Sequence, residues 1–146
     1  MILENMHCLL QFDDRGNLLA LVSKSSGRNY IVKDGCSLFR LTMTEIIKNR
    51  VMPGTLALTG DMAEQIDFIQ QSQCLEIDYR NLDGMPITVK CTIGFMDEEI
   101  HWNILIENKT RFAVSEIEYP VLLFKPYLGL NAESERILLP KMDGIL

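Results

Sequence analysis

Apolar and polar residues alternate with a two-residue period in residues 73–108, which is the pattern of β-strands with one buried face. Three alternating runs fill this segment, and two short polar turns separate them. Asp83 and Gly84 stand in the first turn, where both residue types tolerate the positive φ angles of a tight reversal. The apolar positions are Leu75, Ile77, Tyr79, Ile87, Val89, Cys91, Ile93, Phe95, Ile100, Trp102, Ile104 and Ile106. The segment therefore predicts three consecutive antiparallel strands.

Similar runs on both sides of this segment predict more strands, so the chain is predicted to be all-β. The further predicted strands are residues 6–12, 18–23, 30–32, 36–44, 114–124 and 137–139, with a short run at 56–58. Residues 62–71 fit a helix as well as a strand, and the strand is favoured because strands flank them. Residues 45–61 contain Pro53 and Gly54 and predict a long surface loop. Many short strands predict an antiparallel β-sandwich that forms one domain over residues 1–146.

The composition excludes several classes of partner. The chain is 47% hydrophobic and 23% charged, as expected of a globular domain, and its net charge is −6. Nucleic acids and anionic membranes attract clustered positive charge, which this chain lacks, so neither is expected as a partner. No apolar run approaches the roughly 20 residues that span a bilayer. Glu4 stands where a signal peptide would carry positive charge, which favours a cytoplasmic location.

The cysteines do not have the spacing of a metal site. They are Cys8, Cys36, Cys74 and Cys91. No two of them form a CxxC pair, and His7 and His101 supply no histidine pair at zinc-finger spacing. Buried free thiols are predicted in preference to disulfides, and no metal or other cofactor is expected.

Three blocks of the chain suggest a family. Residues 12–30 are FDDRGNLLALVSKSSGRNY, a hairpin with a Gly-containing turn. Residues 100–120 are IHWNILIENKTRFAVSEIEYP, in which a strand ends in Asn and the next one ends in Pro. Residues 136–144 are RILLPKMDG. In this order the blocks resemble the N-terminal β-sandwich of several bacterial glycoside hydrolases.

The resemblance implies a galactose-mutarotase-like super-sandwich that precedes a catalytic (β/α) barrel absent from this sequence. The chain would then be a non-catalytic domain that packs against the barrel, orients it and contacts glycan at its loops. Because residues 142–146 end in an apolar pair, we expect this chain to be the N-terminal part of a longer protein. The alternatives are a stand-alone carbohydrate-binding module and a structural or oligomerisation domain without a ligand.

No residue of the chain is predicted to be catalytic. Glycoside hydrolysis needs two carboxylates that flank the scissile bond. Residues 97–99 are acidic, but they lie at a predicted hairpin tip, and Asp13 and Asp14 are predicted turn formers. A sugar epimerase would need a general base and a general acid, and the chain has about half the length expected of a complete mutarotase domain.

Three residues are candidates for binding rather than catalysis. Trp102 is the single tryptophan, and its alternation with Ile104 favours a core position over a sugar platform. His101 lies on the opposite face of the same predicted strand. Tyr127 stands in a predicted loop, where a ligand or a neighbouring domain is more accessible. The sequon at Asn108 is interpreted as a turn.

Overall fold

Ten strands and one short 3-10 helix make up the described part of the fold. The computed structural model describes residues 1–32, 36–47, 50–96 and 99–125, with the backbone alone at 46, 47 and 50–54. The strands are β1 (Ile2–Glu4), β2 (Cys8–Phe12), β3 (Leu18–Ser23), β4 (Arg40–Ile47), β5 (Arg50–Thr59), β6 (Ala63–Gln71), β7 (Cys74–Leu82), β8 (Met85–Met96), β9 (Glu99–Asn108) and β10 (Phe112–Glu118). The 3-10 helix is Gly60–Met62. The all-β prediction is confirmed.

The described strands form three antiparallel sheets, with the orders β1-β2-β3, β10-β4-β5 and β6-β7-β8-β9. Most pairs are hairpins of consecutive strands. Strand β10, in contrast, pairs with β4, which is distant from it in the sequence. The predicted turn at Asp83 and Gly84 joins β7 to β8, and both residues have positive φ angles, of 51° and 70°. Within the described residues, no helix has the length and apolar character needed to span a membrane.

Side chains from all three sheets meet in one hydrophobic cluster. Every second residue is buried from Leu75 to Tyr79 in β7 and from Ile87 to Ile93 in β8, so the four-stranded sheet has an inner face toward this cluster and an outer face toward solvent. The largest buried side chains are Tyr79, Phe12, Phe39, Leu3, Leu10, Leu18, Ile31, Leu38, Leu41, Met43, Leu58 and Leu75. The antiparallel sandwich predicted from the alternation is thus the architecture of the chain, and burial of this apolar surface stabilises it.

Tyr79 connects the sheets inside the cluster. Its ring meets Phe39 edge to face, with the ring centroids 5.1 Å apart. Its hydroxyl donates a hydrogen bond of 3.3 Å to the carbonyl of Gly16, and burial raises the pKa of this phenol. A Cβ atom at Gly16 would lie 2.1 Å from the hydroxyl, and one at Gly60 would lie 2.7 Å from the ring. The tyrosine therefore fits only because both neighbours are glycines.

The prediction of a long loop at residues 45–61 is wrong, because most of this segment is strand β5 paired with β4. The register of the pair shifts so that residues 52–54 lie opposite Glu45 alone. This irregularity contains Pro53 and Gly54, and β5 is the edge strand of its sheet. Proline is tolerated at an edge or a bulge because no ladder hydrogen bond is lost there.

The other predicted strands agree in part with the strands of the structure. The strand favoured at residues 62–71 is confirmed as β6, whereas the one predicted at 36–44 is displaced toward the C-terminus as β4. Residues 30–32 contribute one isolated bridge to Phe124, and β1 was not predicted. The strand predicted at 137–139 lies outside the described residues.

The long strand predicted at residues 114–124 is divided. Its first part is β10, and the rest crosses from the β10-β4-β5 sheet to the β1-β2-β3 sheet. The amide of Val121 donates to the carbonyl of Leu38 at 2.8 Å, and the amide of Val32 donates to the carbonyl of Leu123 at 2.8 Å. These bonds attach the crossing segment to the sandwich.

Candidate functional site

A row of ion pairs crosses the outer face of the four-stranded sheet. Arg80 lies 3.3 Å from Asp67 and 3.4 Å from Asp78, and Lys90 lies 2.8 Å from Glu76 and 3.6 Å from Asp78. The carboxylate of Glu76 is the largest cause of the raised pKa of Lys90. Two cations thus pair with three carboxylates, which leaves one net negative charge in the middle of the outer face.

A hollow opens beside this row, where three strands place Cys74, Gly94 and His101 next to one another. Gly94 has no side chain, so the space between its two neighbours stays empty. The volume of the hollow is about 410 Å³. We call it the Gly94 hollow, and its lining residues are Gln71, Ser72, Gln73, Cys74, Thr92, Gly94, Phe95, Met96, His101 and Asn103.

The turn between β6 and β7 forms one end of the Gly94 hollow. Ser72 has a φ of 52°, which allows the two-residue reversal between Gln71 and Cys74. The amide of Phe95 donates to the carbonyl of Gln73 at 3.0 Å, so β8 continues past the end of β7. The hairpin of β8 and β9 therefore extends beyond the turn and supplies the opposite wall.

The lining of the Gly94 hollow combines uncharged polar side chains with a larger apolar surface. Gln71, Gln73 and Asn103 each carry an amide with two N–H donors and one acceptor oxygen, and Thr92 adds a hydroxyl. Met96, which is 62% exposed, adds apolar surface, whereas the side chain of Phe95 packs against the core. Such a combination suits a neutral ligand with several hydroxyl groups, because amides satisfy donors and acceptors at once.

The structure separates the binding candidates named from the sequence. His101 lines the hollow, and its Nε2 atom lies 3.4 Å from a carboxylate oxygen of Glu99. Trp102 is half-buried on the inner face and meets Tyr119 edge to face at 6.4 Å between ring centroids. Trp102 thus packs against the core cluster and does not line the hollow, and Tyr127 lies outside the described residues.

The amides of the Gly94 hollow were missed by the sequence interpretation. Gln71, Gln73 and Asn103 lie on three different strands or turns, so no local motif connects them. One signal was present. Gly94 interrupts the outward-facing series of β8, which otherwise carries Thr88, Lys90 and Thr92, and a strand glycine often marks a close approach of a ligand.

The cysteines are free thiols, as predicted, but of the four only Cys91 is buried, whereas Cys8, Cys36 and Cys74 are partly exposed. Burial raises the pKa of Cys91 to about 12, and the adjacent hydroxyl of Tyr119 lowers that pKa in part. Desolvation also raises the pKa of Cys8 and of Cys36. A thiol is a poor nucleophile until it ionises, so these three side chains have the properties of packing residues.

The acidic turn at Asp13 is structural. One carboxylate oxygen of Asp13 accepts hydrogen bonds from the amides of Arg15 and Asn17, at 2.9 and 2.8 Å. The side chain of Asn17 donates to Asp13 and to Asp61, which connects the β2–β3 turn to the 3-10 helix. In the part of the chain that the structure describes, no group of three His, Cys, Asp or Glu residues could hold a metal ion.

Comparison with known proteins gives no relative: no protein-family model, no curated protein and no solved structure matches this chain. The resemblance to glycoside hydrolase domains therefore rests on its three sequence blocks and stays a prediction. The sandwich architecture is independent of that resemblance, because it follows from the strand pairing and the shared core.

Proposed function

We propose that this chain is a non-catalytic β-sandwich domain of a carbohydrate-active enzyme, and that it contacts the glycan through the Gly94 hollow. The observation that carries the proposal is the set of uncharged amide and hydroxyl side chains around a hollow of about 410 Å³. Sugars present vicinal hydroxyl groups that both donate and accept hydrogen bonds, and amides match both roles. The exposed side chain of Met96 adds an apolar surface that can contact the C–H face of a sugar ring.

The order of the three sequence blocks supports the assignment to such an enzyme. Two of the blocks, residues 12–30 and 100–120, fall on strands that pack into the common core. On this proposal the sandwich is of the galactose-mutarotase-like kind, and a hydrolytic barrel of the same polypeptide accompanies it. We expect the complete reading frame to continue past Leu146 into a barrel with paired carboxylates. A reading frame without such a barrel would count against the assignment to a glycoside hydrolase.

Substitution of Gly94 by valine tests the glycan contact. A Cβ atom at position 94 would lie 3.6 Å from the carbonyl oxygen of Gln73 and 3.9 Å from Cys74, which are ordinary contacts. The fold should therefore accept Gly94→Val, and a strand residue in place of glycine should raise the free energy of unfolding by up to about 1 kcal/mol. The valine side chain would project into the hollow and obstruct a bound ring, so glycan binding should be lost.

Binding is measured on a glycan array and by titration calorimetry, and unfolding by chemical denaturation. A matched pair on one strand completes the test. Thr92→Ala should weaken binding, whereas Thr88→Ala, on the same face of β8 but outside the hollow, should leave it unchanged. Equal effects of the two threonine substitutions would contradict a site in the Gly94 hollow.

A second candidate function is packing against another domain without a glycan. It is favoured by apolar side chains near the end of the described chain, where Ile117, Leu123 and Phe124 are each between 45% and 49% exposed. Exposed apolar residues in one region are typical of protein interfaces. Hydrogen exchange of the full-length protein should then show protection in residues 112–125 that this chain alone does not show.

A further inference from the structure

A second hollow adjoins the Gly94 hollow on the same outer face. Its volume is about 120 Å³, and its lining residues are Ile69, Gln71, Cys74 and Glu76. We call it the Ile69 hollow. Gln71 and Cys74 line both hollows, so the two spaces are neighbours across strand β7.

The strand register aligns the two hollows. One row of cross-strand neighbours is Gln71, Cys74, Gly94 and His101, and the next row is Ile69, Glu76, Thr92 and Asn103. The Ile69 hollow covers the β6 and β7 ends of both rows, and the Gly94 hollow covers the β8 and β9 ends. The four strands span three inter-strand spacings, or about 14 Å. This length exceeds that of one hexose ring.

The Ile69 hollow offers no unpaired charge to an ionic ligand. Glu76, the carboxylate of the Ile69 hollow, is paired with Lys90 at 2.8 Å. The other lining residues of that hollow are an isoleucine, a glutamine and a cysteine. Ile69 is 46% exposed, so its side chain offers an apolar surface to a ring that lies across β6.

We infer that the two hollows are successive subsites for one linear, uncharged oligosaccharide that runs across the four strands. This inference rests on the proposed glycan contact and adds its orientation and minimum length. A monosaccharide would occupy the Gly94 hollow alone, and longer chains would also cover Ile69. Affinity should therefore rise with chain length until both hollows are filled.

The test uses the chain as it exists, with cello-, xylo- and malto-oligosaccharides from the monosaccharide to the hexasaccharide as probes in titration calorimetry. We expect affinity to rise with length in at least one series. Ile69→Ala should lower the affinity for the longer members about tenfold and leave the shortest binding member unchanged, because only the longer chains bury that side chain. Leu105→Ala is the matched control, since Leu105 is 58% exposed on the same face and lines neither hollow.

The outcomes separate the two proposals. Binding that does not depend on length, or that Ile69→Ala weakens equally for all lengths, overturns the extended groove and leaves the Gly94 site standing. Binding that Gly94→Val does not affect, or no binding by any member of the three series, overturns both proposals. If peptides from a library bind and shift the NMR amide signals of residues in these two rows, while no oligosaccharide binds, the ligand of the two hollows is a peptide.

Discussion

Tyr79, at the centre of the sandwich, illustrates how one side chain contributes to the stability of the fold. Its hydroxyl is buried and donates to the carbonyl of Gly16. Tyr119 is a second tyrosine with a buried hydroxyl. This hydroxyl lies next to the Cys91 thiol but has no hydrogen-bond partner at good geometry among the described residues. The two phenols therefore differ in what their hydroxyl groups gain on folding.

We expect Tyr79→Phe to lower the free energy of unfolding by about 1 kcal/mol, because the Gly16 carbonyl loses its buried donor. Tyr119→Phe should cost less than that or stabilise the fold slightly, since it removes a buried hydroxyl without a strong partner. Denaturant titrations of both variants measure the difference. A larger loss for Tyr119→Phe would show that its hydroxyl has a partner elsewhere.

The raised pKa of Cys91 predicts how the free energy of unfolding depends on pH. Its pKa rises from the ordinary value of 9.0 to about 12 in the fold, because burial disfavours the thiolate. The folded state therefore keeps this proton after the unfolded chain has released it. The resulting stabilisation is fully present below pH 9 and is lost as the pH rises toward 12.

Between pH 9 and 11, Cys91 should contribute a decrease of about 1.4 kcal/mol in the free energy of unfolding per pH unit. Tyr79 and Tyr119, whose pKa values are also raised, act in the same direction at the upper end of this range. Cys91→Ala should reduce the slope by the contribution of one proton. An unchanged slope in that variant would assign the effect to the tyrosines or to Cys8 and Cys36, whose pKa values are also raised.

At the scale of elements, the outer face of the four-stranded sheet is held together by Arg80. Asp67 on β6 and Asp78 on β7 are direct cross-strand neighbours, and the guanidinium of Arg80 lies close to both carboxylates. Without it, these like charges would face each other with Lys90, 3.6 Å from Asp78, as the remaining nearby cation, and such a pair destabilises neighbouring strands.

We expect Arg80→Ala to lower the free energy of unfolding by about 1 kcal/mol in low salt, with a smaller loss in high salt because ions screen the repulsion. Arg111→Ala is the control, since Arg111 pairs with Glu45 at 2.9 Å but its side chain is 78% exposed. That variant should change stability by less than about 0.5 kcal/mol. Equal losses for the two variants would refute the repulsion argument.

Local patterns predicted some elements and missed others for physical reasons. The hairpins of residues 73–108 were predictable because their alternation and their turn residues lie close together in the chain. Strand β5 was missed because Pro53 and Gly54 look like a loop until the bulge and the edge position are known. The pairing of β10 with β4 and the three-strand row at Gly94 depend on contacts between distant segments, which no local period encodes.

At the scale of the whole molecule, the three sheets share a single cluster of buried side chains. Tyr79 on the four-stranded sheet contacts Gly16, in the turn after β2, and Phe39, which precedes β4. If one sheet unfolded, the inner faces of the other two would therefore be exposed to solvent. This arrangement predicts that the described sandwich unfolds as one cooperative unit.

Far-UV and near-UV circular dichroism should accordingly give coincident denaturation curves, with one midpoint and one slope. Tyr79→Phe should move both curves together. Two separate transitions would mean that one sheet retains its structure without the others, and hydrogen exchange would then identify it.

The contact of Trp102 with Tyr119 makes the single tryptophan a natural optical probe. Its indole lies on the inner face of β9, whereas the Gly94 hollow opens on the outer face. A sugar that enters the hollow should leave the emission wavelength of the indole unchanged, while separation of β9 from the segment after β10 should shift the emission to the red. Fluorescence thus reports the integrity of the sandwich, and ligand binding requires a label placed on the other side of the sheet.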